Sequence, residues 1–433
     1  MRLARTAALA AALATLASTS ARGQFEQYTQ PGSGAAGAVA VSKEEMDQAL
    51  AEARWHAGAV RLAPWIGLRD VAWNDNPGAT AEGADAEDDV SVTAGAGLRA
   101  YLPTGPDVYW TAHALPEYVW YADQSERRRL NGRYGAGVFG FFNRLTLEAT
   151  GQRIEALEVL TAEVPEQANS RQDRVALGAE VELGFSTSVF VQADTARIRN
   201  LLNEEERESG PQLQLLDRDQ DRLRAGLRYR PRERWSMALG MEWTETELLS
   251  EARDLSSSGE APLVQLDYRG PKLFASADAQ LRSLEPEGDS VFPETDATTY
   301  GLRVGVEGNR LSPVLYARQS LALAISAGYS HFETQVVGVS TSLSLGHRTG
   351  LRVFAETGRS DFTTLSPEVP AREDDLTSFG GDVSFAAGRF LSFRLGGYRS
   401  EFDSNLPGQD RSLSVLSTGV SLGLSGEDAP GWP

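Results

Sequence analysis

The sequence predicts an all-β protein: a transmembrane, antiparallel, up-and-down β-barrel of about 18 strands (16–18) behind a short N-terminal periplasmic helix. Three observations predict it. Apolar and polar residues alternate with a period of two along most of the chain. The connections alternate between tight turns and longer, acidic loops. Aromatic residues bracket the apolar faces. The stretch RLRAGLRYRPRERWSMALGMEW, from Arg222 to Trp243, shows the pattern. Leu223, Ala225, Leu227 and Tyr229 share one face, and Arg222, Arg224, Arg228 and Arg230 the other, because successive strand side chains point to opposite sides. After a turn at Pro231, Trp235, Met237, Leu239, Met241 and Trp243 resume the apolar face opposite Glu242.

In chain order, residues 1–23 read as a signal peptide. Arg2 and Arg5 precede an Ala/Leu run from Ala7 to Ala17, and Ala21 and Gly23 supply small residues for cleavage before Gln24. Residues 24–57 read as a periplasmic lead, first a Gly/Ala-rich linker and then a helix. Ser42, with Glu45 three residues on, forms a capping box and starts that helix, which should reach about Trp55. It serves as a docking element, as a partial plug, or as a simple tether. Residues 58–425 read as the barrel, with strands starting near Val60, Val90, Val108, Leu130, Leu145, Asp173, Val189, Asp221, Trp235, Ala261, Leu273, Thr299, Leu321, Gln335, Leu351, Leu376, Phe390 and Leu413. Most connections fit the short–long alternation of outer-membrane barrels. Two do not: the join near Arg310 to Arg318 is long for a turn, and the one near Glu333 is short for a loop. Residues 426–433 form a tail.

A soluble sandwich also alternates, with its apolar face turned to a core. The aromatics favour lipid. Trp235 and Trp243 bracket one strand and Trp110 and Trp120 another, as girdles at two membrane interfaces would. Closure also satisfies every backbone group in a medium without water. The last strand carries Ser417, Gly419, Val420 and Leu422, a spacing that resembles the signal read by the bacterial barrel-assembly machinery, here displaced inward from the C-terminus.

If the oily face meets lipid, the other lines a lumen. Arg174, Arg222, Arg224, Arg228, Arg230, Arg282, Arg303, Arg352 and Arg394 then face inward with Glu180, Glu182 and Glu242. The arginines of 222–230 form a ladder that either sorts ions and grips carboxylates or phosphates, or pairs across strands and braces the wall. The inward Trp65, Tyr109, Phe190, Phe274, Phe354 and Tyr398 stack on sugar rings or pack within the lumen. The loop from Leu201 to Leu216 has apolar ends suited to folding inward.

Composition narrows the functions. A net charge of −19 disfavours nucleic acid as a partner, and the absence of cysteine suits an envelope protein. The four histidines are scattered, with no nucleophile elbow, metal-ligand spacing or phosphate loop, so no enzyme, cofactor or metal is expected. The expected surroundings are outer-membrane lipid and lipopolysaccharide.

The layout resembles the outer-membrane β-barrel family encoded with exopolysaccharide export systems. It has a leader, a periplasmic lead, and a barrel whose first strand runs into an Asn/Asp-rich loop, WIGLRDVAWNDN from Trp65 to Asn76. Alginate-export porins share the strand number and an arginine-rich lumen. The resemblance implies export of a polysaccharide across the Gram-negative outer membrane, with a periplasmic polysaccharide-export protein completing the conduit. A general diffusion porin for small solutes and a structural or adhesive barrel are the alternatives.

Overall fold

The computed structural model describes residues 31, 42–53, 55–75, 88–159, 161, 163, 167–201, 216–250, 253–388 and 391–423. The expected leader, most of the linker, the C-terminal tail and the middle of the Leu201 to Leu216 loop lie outside the described residues.

Helix α1 spans Lys43–Glu52 and a short strand β1 spans Trp55–Ala57. The barrel wall follows as β2 (Val60–Asn74), β3 (Asp89–Pro103), β4 (Val108–Tyr121), β5 (Arg129–Phe141), β6 (Leu145–Val159), β7 (Gln167–Glu182), β8 (Thr187–Asn200), β9 (Arg218–Arg232) and β10 (Trp235–Leu248). It continues as β11 (Ser257–Arg269), β12 (Leu273–Pro286), β13 (Thr295–Val306), β14 (Leu311–Leu323), β15 (Tyr329–Ser344), β16 (Thr349–Thr364), β17 (Arg372–Ala386), β18 (Leu391–Ser404) and β19 (Arg411–Gly423). Each strand pairs antiparallel with the next, and β19 pairs with β2, which closes an 18-stranded barrel. Strand β2 carries a bulge just after Leu68, an extra residue that shifts its register with both β19 and β3.

Closure removes every sheet edge, and the strands alternate as lipid on one side and water on the other require. Leu177, Leu227, Leu239 and Leu395 all point outward and are more than half exposed. The inward face holds large side chains over glycines of the neighbouring strand. A Cβ on Gly305 would lie 2.3 Å from the Phe274 ring, and one on Gly338 would lie 2.4 Å from Tyr316. The missing Cβ lets each ring lie flat on the wall instead of filling the lumen.

The strand from Leu321 is a correction. β14 starts ten residues earlier, at Leu311, after a turn of residues 307–310, and a loop of residues 324–328 separates it from β15. With that change every periplasmic turn is four residues or shorter, and the two irregular joins disappear. The apolar alternation Leu321, Leu323, Ile325 has another origin. These residues are buried with Leu248, Leu255, Leu284 and Phe292 in a cluster at the extracellular end. β13 and β14 pair only from Tyr300–Gln319 to Gly305–Val314, so the tip of β14 parts from its neighbour and packs against loops. Elsewhere the extracellular boundaries shift by a few residues: β7 begins at Gln167 rather than near Asp173 and β11 at Ser257 rather than near Ala261.

The capping box forms as expected. The Glu45 amide donates to Ser42 Oγ at 3.3 Å, and the Ser42 amide donates to Glu45 Oε2 at 2.8 Å. The helix ends at Glu52, short of Trp55. It is tethered to the periplasmic end of the barrel, where Lys43 pairs with Asp107 at 2.8 Å and the Tyr109 hydroxyl donates to Asp47 at 2.7 Å.

Candidate functional site

The inner wall from β7 to β12 concentrates charge in one recurring arrangement, an acid held between two arginines. Asp194 on β8 meets Arg174 on β7 and, at 3.2 Å, Arg222 on β9. Glu242 on β10 meets Arg224 on β9 and, at 3.0 Å, Arg282 on β12. Glu180 on β7 meets Arg228 and, at 2.7 Å, Arg230, both on β9. Ser188 adds a hydroxyl hydrogen bond to Glu180 at 2.6 Å. Register causes this grouping. Glu242 lies directly opposite Arg224, Asp194 opposite Arg222, and Ser188 opposite both Glu182 and Arg228.

Three acids thus serve six arginines, which braces the patch; with Glu182, Asp267 and Asp278 and with Arg218 and Arg269 on the same face, eight arginines meet six acids, a small positive excess. Of the two uses posed by the sequence, these ion pairs make the bracing one visible. Stacking adds rigidity: the Arg228 guanidinium lies 5.0 Å above the Phe190 ring, which itself covers Gly226. On the next part of the wall, Arg303 repeats this over Phe274, also at 5.0 Å. Such stacks fix a guanidinium's plane while leaving its edge free to donate. Farther round, the Tyr316 hydroxyl donates to Glu356 at 2.7 Å, Arg352 lies opposite Asp382 in register, and Arg394 reaches Asp382 at 3.4 Å. Phe190 and Phe274 therefore carry arginines, a use the sequence reading did not assign to them.

The extracellular mouth holds a second network. Glu163, from the connection between β6 and β7, is buried. Its carboxylate accepts from the Ile325 and Ser326 amides at 2.5 and 3.0 Å and pairs with Arg372 at 3.1 Å. Ile325 and Ser326 follow β14, eight strands round the ring from β6. Arg253 donates to the carbonyls of Ala324, Ser326 (3.0 Å) and Tyr329 (2.9 Å), which fixes the same tip from the side. Burial disfavours the charged form of Arg253, and Glu163 opposes that shift.

Sequence reasoning missed Asp194, Glu163, Arg253 and Arg372. Asp194 was recoverable, since it falls on the inward parity, opposite to the outward Val189, Val191 and Ala193. The other three act through loop contacts between strands far apart in the chain, for which a single sequence carries no periodic signal.

Trp110, Trp120, Trp235 and Trp243 all point outward, the first and third beside periplasmic turns and the others toward the extracellular ends. On β19, Val420 and Leu422 pair with the lipid-facing Phe393 and Leu391 parity, while Ser417 and Gly419 face inward.

No family model matches this chain, and no curated protein does. Solved structures match its fold. The chain is similar to a BenF-like porin from Pseudomonas fluorescens Pf-5, with 11% identity and a TM-score of 0.51, over 84% of this chain and 98% of that one. It is similar to Pseudomonas aeruginosa OpdQ, with 12% identity and a TM-score of 0.50, over 84% of this chain and 98% of that one. The chain therefore has the fold of outer-membrane porins, an 18-stranded barrel of the Gram-negative outer membrane. The expected tie to polysaccharide export gains no support from these matches, which are to porins. The layout that suggested it, a leader, a short lead and 18 strands, does not distinguish one barrel of this size from another.

Proposed function

We propose that the protein is a passive outer-membrane channel for small solutes that favours anions. The observation behind this reading is the inner wall of β7 to β12, where eight arginines face six acids and six of the arginines gather in three groups around single acids. A positive surplus on a water-facing wall raises the local concentration of anions, and a low-dielectric surround strengthens the effect. The surplus stands out against a chain whose net charge is −19. Trp110, Trp120, Trp235 and Trp243 anchor the barrel at the two interfaces, and the segment with Ser417, Gly419, Val420 and Leu422 is read by the assembly machinery.

The test is the reversal potential of the refolded chain in a planar bilayer under a KCl gradient. Wild type should favour chloride, and Arg224→Ala with Arg228→Ala should cut that preference at least two-fold by removing charge from two of the three groups. Unchanged selectivity in a conducting double variant would reject the wall as the filter.

A further inference from the structure

We infer that the channel passes current unequally in its two directions, because an acidic outer mouth stands in series with a positive inner wall. The inference rests on the conducting lumen proposed above and gives it a direction. Charge is sorted along the barrel axis. Among the described residues of the nine extracellular connections, twelve are Asp or Glu and three are Arg. Asp88, Asp123, Asp254, Asp289, Glu294 and Glu368 are exposed, and none of them makes an ion pair among the described residues. Like charge crowds there: the Glu287 carboxyl is pushed above its ordinary range by burial and then by Glu245, Glu247 and Asp254.

The inner wall has the opposite sign. To the eight arginines and six acids of β7 to β12, the inward face of β13 to β16 adds Arg303, Arg318 and Arg352 against Glu356. Arg303 and Arg318 make no ion pair among the described residues. The periplasmic end is close to balance, since its described turns and α1 together hold six cations and seven acids. Glu242 and its arginines sit six residues in from the Leu248 end of β10, roughly 20 Å along the strand. Salt at 0.1 M screens charges over about 10 Å, so mouth and wall act as separate zones. With the outside positive, potassium enters through the acidic mouth and chloride arrives from the periplasm along the positive wall. Each ion first crosses the zone that concentrates it, and the lumen fills with carriers. With the polarity reversed, potassium meets the arginines first and chloride the acids. Each is held back, and the lumen is depleted.

The test is the current–voltage curve of single refolded channels. The outer side of each is identified by avidin bound to a biotinylated Gln409→Cys, the chain having no cysteine of its own. In about 0.05 M KCl at about 100 mV, the current with the outside positive should exceed that with the outside negative by about 1.5-fold or more, and the ratio should fall to near one in about 1 M KCl, where screening is tight. Asp123→Lys, Asp289→Lys, Glu294→Lys and Glu368→Lys together move the mouth by eight charges and should remove at least half of the excess over one. None of the four native side chains makes a hydrogen bond or ion pair among the described residues, so the barrel keeps its fold. Equal currents in dilute salt, a larger current with the outside negative, or a lysine variant that rectifies like wild type would each overturn the inference. A channel that favours chloride without rectifying sinks the inference alone, whereas one that rectifies without favouring chloride supports it and sinks the anion filter.

Discussion

Glu242 has no exposed surface, yet it faces two guanidiniums, those of Arg224 and Arg282. A buried carboxylate between two cations offsets charges that would otherwise repel each other away from water. Glu242→Gln keeps the shape and removes the charge. It should lower the barrel's unfolding free energy by about 3 kcal/mol, measured by guanidinium unfolding in lipid vesicles. A loss below about 0.5 kcal/mol would show that the arginines are satisfied without it. At this scale much of the site was legible. Parity alone puts Arg174, Arg222, Arg224, Arg228, Arg230, Arg282, Arg303, Arg352 and Arg394 on the inward face, since a strand's period is two and a slip of one residue would expose its whole apolar set. Parity could not say which acid each arginine meets, because that depends on the pairing register between strands.

Among the elements, β14 and β15 show where reading by period fails. The pattern Leu321, Leu323, Ile325 looks like a lipid-facing strand, but burial against Leu255 and Phe292 produces the same spacing. Two solvents, lipid and a protein interior, select the same residues. A second limit appears at the extracellular ends of β7 and β11, where both faces turn polar and the alternation that marks a strand fades. Turn chemistry was the firmer guide: Gly105 and Gly388 take left-handed φ values of 80° and 111° in two of the short periplasmic connections. The tip between β14 and β15 depends on Arg253. In Arg253→Ala, the carbonyls of Ala324, Ser326 and Tyr329 lose their shared donor, and amide hydrogen exchange across residues 324–329 should quicken roughly ten-fold. Unaltered exchange there would mean that the apolar cluster alone holds the tip.

For the whole molecule, the outward band explains how a chain of mean hydropathy −0.31, with no helix among its described residues long and apolar enough to span, crosses a bilayer: each strand spends only alternate residues on lipid. The same economy hides the class from any search for long apolar runs, yet strand number, turn spacing and closure were all readable from one sequence. Cargo was not, since a wet inner wall is a general need of such barrels and no local motif separates a polymer conduit from a solute channel. The most direct test is therefore whether the refolded chain opens a path for water and ions. Added to a planar bilayer in KCl, it should give discrete current steps whose size rises with salt concentration. A protein that inserts, keeps its folded β spectrum and leaves the bilayer at its background leak would contradict a conducting lumen.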